Sequence, residues 1–414
     1  MSAHSIAVIG GGAAGMMAAA AALESGADVT LYERNPKLGK KLCITGKGRC
    51  NLTNNCPPEE ILKNTLSNPK FLYSSVYKFT PEDTMAYFEG IGVPLKTERG
   101  RRVFPVSDRA ADVSGALERY IRDMGCRIVH ERVSGIFVNN GKADGIIIQG
   151  RTVAHSAVIL ATGGVSYPGC GSTGDGHRMA RELGISSSPL RPSLVPIVLF
   201  ENTAPIMGLS LKNVRLSVYL REKSVFTEMG EMLFTHFGIS GPLVLSASAH
   251  MQKESPDKYR MELDLKPALD DETLDRRLIN DLSKYAARDF VNSLSDLLPQ
   301  KLVDTVVSLS KIPPRTKSGE ITREQRQSLL SVLKHFPLSP KAFRSLDEAV
   351  VTAGGIETGE IMPQTLMSKK VSGLFFAGEI IDVDAYTGGY NLQIAWSTGR
   401  KAGLSAAEYF FGME

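Results

Sequence analysis

The plainest chemical signature in the chain is Gly10-x-Gly12-x-x-Gly15, set between an apolar run and an Ala-rich stretch. Gly at the first position permits a tight turn. At the second it lets backbone approach a pyrophosphate, and at the third it lets a helix pack close to a strand. A helix opening at Ala13 and Ala14 would offer its free N–H groups and positive dipole end to the phosphates. Glu33 lies 18 residues past Gly15 and ends a second apolar run that starts at Val29. A carboxylate there can accept both ribose hydroxyls of an adenosine. An acid at this position disfavours a 2′-phosphate, so FAD or NAD fits better than NADP. The plainer alternative is a buried Gly-rich turn with a solvated Glu. Ala19 and Gly26, at the spacing usual for this motif, weigh against it.

Arg34 follows the acid, and Gly39 to Asn55 reads as a long loop rich in Gly, Lys, Asn and Thr. Lys40, Lys41 and Arg49 can neutralise a diphosphate there. Cys50, Asn51 and Thr53 stand beside glycines that suit close backbone approach. NAD enzymes rarely place such a loop here, which favours a flavin. Near the other end, Phe376-Ala377-Gly378-Glu379 is a strand end whose small residues would admit a ribityl chain. Gly389, Asn391 and Leu392 then open a helix, and its dipole would stabilise negative charge at N1 and O2 of a reduced flavin. Taken alone, this motif reads equally well as a helix-start turn at a sheet edge. Paired with the first motif it points to bound FAD, with Thr162 and Gly163 touching the dinucleotide where the chain crosses between domains.

These motifs resemble those of the bacterial FAD-binding flavoprotein family that includes aminoacetone oxidases and a bile-acid-intermediate reductase. Gly39 to Asn54 carries the likeness most specifically. Glu98 to Pro105, Ala161 to Gly164, Gly171 to Gly176 and Phe234 to Pro242 share it. It runs from the N-terminus to Gly399 and is weakest between about 265 and 345. The resemblance implies a hydride-transferring oxidoreductase, as oxidase or as reductase, and a backbone contact of Val133 with the adenine.

Other candidates carry less. Cys43 and Cys50 sit where flavin-dependent disulfide reductases keep a redox pair. Six residues separate them, against four in those enzymes, so unpaired cysteines lining a cofactor loop fit better. With Cys56 they match no zinc spacing, and no metal is expected. His236 is the candidate proton donor, because imidazole titrates near neutral pH; a structural histidine is the plainer reading. Arg101 and Arg102 would hold an anionic substrate group or simply line a solvated loop. Tyr386 and Tyr390 flank the flavin helix. A second G-x-G-x-x-G is not evident, so NAD(P)H and O2 remain open as redox partners. Lys311, Arg315, Lys317, Arg323 and Arg326 lack interleaved aromatics, so no nucleic-acid partner is expected, although a flavoprotein acting on RNA is the rival of another class.

The positioning elements follow from periodicity. Ser5–Ile9, Ala13–Leu23 and Val29–Glu33 form a βαβ unit. Asp108 to His130 reads as helix then strand, Gly135 to Ile148 as a hairpin turning near Asn139-Asn140-Gly141, and Val158–Ala161 as a buried strand. Past Pro192 come strands at Val195–Phe200, Val214–Leu220 and Tyr259–Leu265. Helices follow, marked by Leu274, Leu278 and Leu282 and by a capping box at Thr322 and Gln325. The expectation is an α/β, Rossmann-like FAD-binding domain of the two-dinucleotide-binding-domain class, made of 1–191 and 351–414. Its insert would have a β-rich part, 192–265 with return strands near 340–350, and a helical part, 266–340. A small substrate would bind at the insert interface.

Composition agrees with a globular chain. The 414 residues are 43% hydrophobic and 22% charged, with a net charge of +4, too mild to imply nucleic acid. Five cysteines, odd and sparse, favour a reducing cytoplasm over a disulfide framework. Ile6 to Leu23 carries no charge and nearly matches a membrane span. Its glycines and the lack of a preceding Lys or Arg favour a buried strand, turn and helix instead. The oligomeric state is not legible.

Overall fold

The computed structural model describes residues 5–412. The chain divides into two compact units, 1–193 with 346–414, and 194–345.

The first unit is built on β1 (Ile6–Ile9), β2 (Val29–Tyr32), β3 (Arg127–Val129), β4 (Ala157–Leu160) and β5 (Leu374–Phe376). They form one parallel sheet in the order β5-β4-β1-β2-β3. The three central strands are wholly buried, as runs of Val, Ile and Leu in a parallel sheet covered on both faces should be. Helix α1 (Ala13–Glu24) connects β1 to β2. Ten of its residues, Ala14 to Leu23, are buried. Small side chains are required there, because the last helix α2 (Tyr390–Phe411) lies against it. A Cβ on Gly399 would sit 2.4 Å from the Ala14 carbonyl, and one on Gly403 2.2 Å from that of Ala18. The uncharged stretch is therefore a buried strand, turn and helix. Among the described residues no helix is long and apolar enough to cross a membrane.

The hairpin turns where the sequence places it. Val133–Asn139 pairs with Lys142–Ile148, with Asn140 and Gly141 both at positive φ, as a tight two-residue turn requires. Two histidines are buried in this unit. His155 bridges Ser5 Oγ at 2.8 Å and Tyr32 Oη at 2.9 Å. Among the described residues neither ring nitrogen of His177 has a partner. Burial lowers both imidazoles from 6.5 to about 4. The folded state thus prefers them neutral. Their stabilisation is present above pH 6.5 and is lost as pH falls towards 4, at roughly 3 kcal/mol for each ring. Calorimetric scans should show the first unit melting progressively earlier across that window. A midpoint indifferent to pH between 7 and 4 would contradict the assignment.

The second unit carries a seven-stranded antiparallel sheet. Its order is Phe336–Leu338, Tyr259–Asp264, Ser210–Leu220, Lys223–Phe234, Gly238–Ser240, Ile197–Leu199, Pro340–Phe343. Helices Asp271–Lys284, Gln300–Ser310 and Arg323–Lys334 follow the strand pattern in sequence. Leu274, Leu278 and Leu282 pack in the same apolar cluster as Leu216, Val218 and Met261 of the sheet. The β-rich and helical stretches thus share one core and form one body, because a one-sided helix must bury its stripe against something. The capping box at Thr322 and Gln325 is present in both directions.

Candidate functional site

The glycine turn is built as its spacing demands. Gly10 has φ +107°, and a Cβ there would lie 2.5 Å from the Ala161 carbonyl oxygen. A Cβ on Gly15 would come within 1.8 Å of the Gly10 carbonyl. Around Gly12 nothing lies within 4 Å of the corresponding position. The turn is packed tight at its first and third glycines and open at its second. Gly12 caps α1 with extended backbone, no side chain caps the helix, and no acid lies in its first turn, which Ala13 and Ala14 begin. The leading N–H groups are therefore left for an anion. Glu33 sits at the end of β2 with its carboxylate oriented by three donors. Gly11 N–H meets Oε2 at 2.8 Å, while Asn35 N–H at 2.8 Å and Asn35 Nδ2 at 2.7 Å meet Oε1. Val133 is buried and starts the hairpin. Nearby His130 Nδ1 bonds the Asn35 carbonyl at 2.7 Å.

The expected diphosphate cations have partners within the protein. Arg34 donates to Thr173 at 2.8 Å and pairs with Asp175 at 3.3 Å. Lys40 donates to the Gly169 carbonyl at 2.6 Å. Lys41 donates to Ser166 Oγ at 2.6 Å and to Glu379 at 2.7 Å. Arg49 lies over Phe104 and is held by Glu98 and Asp108, each at 2.5 Å. This is a different arrangement from free charges aimed at a phosphate. The acids that engage these cations stand 49 to 338 residues away in sequence, beyond the reach of local spacing.

Residues from both ends of the chain meet beside α2. The Thr53 hydroxyl donates to Gln393 Oε1 at 2.6 Å, and Trp396 Nε1 donates to the Leu52 carbonyl at 2.9 Å. A Cβ on Gly389 would sit 2.3 Å from the Thr53 carbonyl. With its amide oriented by its partners, Asn51 spans the Gly389 N–H at 3.0 Å and the Thr53 carbonyl at 3.2 Å. A Cβ on Gly378 would meet Ala14 at 2.6 Å, so the β5 end reaches the first turn of α1. Asn391 does not offer its amide outwards. Its Oδ1 accepts from Ala385 N–H at 2.9 Å, and its Nδ2 donates to the Ala385 carbonyl at 2.7 Å. It fastens the 384–386 turn, while Leu392 is half-buried on the next position. Thr162 Oγ1 is buried with no partner among the described residues, and Gly163 has φ +72°.

The sequence reading passed over two residues here, Thr352 and Asp384. Thr352 donates its N–H to Glu379 Oε1 at 2.8 Å, and its hydroxyl accepts from Val165 and Ser166 N–H at 2.8 and 3.1 Å. Burial opposes ionisation of Glu379, yet Lys41 and these hydrogen bonds win and hold its carboxyl below the usual range. The second is Asp384, which with Asp382 interrupts the apolar residues Ile380, Ile381, Val383 and Ala385.

The five cysteines are all free. Cys50 is wholly buried, and burial pushes its thiol up to about 12. It is a neutral thiol at physiological pH, unsuited to nucleophilic disulfide chemistry. Iodoacetamide should therefore leave Cys50 unmodified in the native protein at pH 8 and label it after denaturation, as read by peptide mass spectrometry. Rapid native labelling would contradict this. His236, in the second unit, is exposed in the turn between Lys223–Phe234 and Gly238–Ser240 and packs edge-on to Phe237. Among the described residues no group of three His, Cys, Asp or Glu is placed to hold a metal.

The family model described as the HI0933-like protein Rossmann domain matches residues 4–405. The chain belongs to this family. It is thus a Rossmann-type flavoprotein of the oxidoreductase class. A 3-dehydro-bile acid delta(4,6)-reductase of Clostridium scindens is 32% identical over 411 residues, 97% of this chain and 99% of that one. A ribosomal RNA dihydrouridine synthase of Escherichia coli is 32% identical over 398 residues, 94% and 95% of the two chains. In fold, the chain is similar to a 3-ketosteroid-delta4-(5alpha)-dehydrogenase from Rhodococcus jostii. The TM-score is 0.53 at 17% identity, covering 97% of this chain and 96% of that one.

Proposed function

We propose that the chain binds FAD across the first unit and acts as a reductase that saturates an activated carbon–carbon double bond. The observation that carries the cofactor reading is the uncapped start of α1 above an open Gly12, with the β5 end and Gly399 of α2 against the same helix. The α1 N–H groups would hold the diphosphate, Glu33 the ribose, and the Gly378 and Gly389 turns the ribityl chain and ring. When bound, the flavin supplies hydride transfer. The protein's own part is to hold the ring against the α2 N-terminus, whose partial positive charge suits a reduced, anionic pyrimidine edge.

The reductase reading is supported by the relatives' names. A delta(4,6)-reductase and a dihydrouridine synthase share one chemistry: two electrons and two protons added across a C=C bond conjugated to a carbonyl. The second name also speaks for RNA as substrate, against the expectation drawn from the scattered basic residues. The test is anaerobic. The protein is reduced with dithionite, then mixed separately with a dienone bile acid and with unmodified rRNA. Return of the oxidised flavin spectrum, with a saturated product by mass spectrometry, is the expected result for one of the two. NADH and NADPH are titrated in parallel as reductants. Reoxidation by O2 with peroxide formation, and by neither alkene, would replace the reductase with an oxidase.

A further inference from the structure

Two acids hang from one short ribbon. Arg191–Ser193 pairs antiparallel with Val351–Ala353. From one strand Thr352 N–H reaches Glu379, and from the other the Ser193 hydroxyl donates to Asp384 Oδ2 at 2.9 Å. Their surroundings then differ. Glu379 has the Lys41 ammonium at 2.7 Å. Among the described residues the charged groups that act on Asp384 are Asp382 and Glu379, both acids. It is 3% exposed, and its Oδ1 is buried with no partner among the described residues. A buried carboxylate with one oxygen unsolvated and two acids nearby is costly, and the neutral acid much less so. Burial accordingly raises its pKa; Ser67 and Ser193 oppose this, and Asp382 and Glu379 add to it.

The backbone of Asp384 is anchored as well. Its carbonyl accepts from Leu66 N–H at 2.7 Å, and the next residue is the one that Asn391 brackets. The acid is thereby tied to the turn that leads into Gly389 and α2.

We propose that Asp384 holds the proton that accompanies hydride transfer. This rests on the reading that α2 carries the flavin and that the substrate is an activated alkene. In the step, the C=C π bond breaks. One carbon receives a hydride with its electron pair from the reduced flavin, and the other receives the proton of the Asp384 carboxyl. The products are the saturated compound, oxidised flavin and the Asp384 carboxylate, which water reprotonates. Surroundings that favour the un-ionised carboxyl suit an acid that must give up a proton.

The test uses the flavin-loaded full chain, carbon-13-labelled aspartate and a dienone bile acid as probe. Infrared spectra of the wild type at neutral pH should contain the C=O band of a protonated aspartic acid. Asp384→Asn should remove that band, keep the yellow colour and melting temperature, and slow single-turnover reoxidation by about 10²-fold or more, the scale of a positioned acid. Its residual rate should lose the wild-type fall at alkaline pH. Ser193→Ala should shift the band without abolishing it, which decides the matter if the Asn variant does not fold. A yellow wild type without the band overturns the proposal, as does an Asn variant with wild-type rate and pH profile. A colourless wild type refutes the flavin reading itself, so the two failures are told apart.

Discussion

Gly15→Ala should yield a chain that neither retains FAD nor holds the first unit at wild-type stability. The added Cβ would fall 1.8 Å from the Gly10 carbonyl oxygen. Backbone, not a flexible side chain, is the obstacle, so the turn itself must open. Overpacking of well-packed interiors costs about 1–3 kcal/mol, and a backbone clash this short belongs at or above the upper end. The turn that opens is the one presenting the leading N–H groups of α1, so affinity and stability fall together. Gly12→Ala is the matched control. Nothing stands within 4 Å of its Cβ position and its φ is −82°, so the fold tolerates the methyl. The methyl would nevertheless occupy the open face assigned to the pyrophosphate. Flavin absorbance and urea unfolding measured on both variants separate the effects. A Gly15→Ala protein that is yellow and fully stable would contradict the packing argument, and a Gly12→Ala protein with unimpaired FAD affinity would contradict the ligand assignment.

Trp396→Ala should be the most destabilising substitution on α2. The indole is fully buried, packs on Phe88 with ring centroids 5.0 Å apart, and donates to the Leu52 carbonyl. Truncating a buried Trp costs about 3–5 kcal/mol through lost contacts and the cavity left behind. Leu52 immediately precedes Thr53, whose backbone Gly389 covers, so the loss reaches the place where the two chain ends meet. Trp396→Phe keeps most of the packing and forfeits chiefly the N–H donor, worth about 1 kcal/mol. Chemical denaturation followed by circular dichroism, with flavin release as a second probe, should rank wild type, Phe and Ala in that order. Equal stability of the Ala variant would contradict the core assignment.

The elements that were legible are those whose physics is local. The G-x-G-x-x-G turn, the leucine stripe at Leu274, Leu278 and Leu282, the Asn140-Gly141 hairpin and the Thr322 capping box each depend on neighbours within a few residues. What escaped notice depends on distant partners. The sequence does not show that Arg49 is held by Glu98 and Asp108, or that Lys41 meets Glu379 from 338 residues away. Nor does it show that the Asn391 side-chain amide brackets Ala385. Asp384 drew no attention because nothing in its neighbours announces burial without a counter-ion. The strands and helices of residues 194–345 look separable in sequence because their periodicities differ; only shared burial joins them.

The measurement that bears most directly on the whole account is flavin stoichiometry. The protein, purified under native conditions and then denatured, should release one FAD per chain, identified by its absorbance and mass. Flavin-stripped protein should recover the yellow spectrum on adding FAD and lose that ability in the Gly12→Ala variant. A well-folded chain that releases no flavin and takes up none when offered it would contradict the central claim.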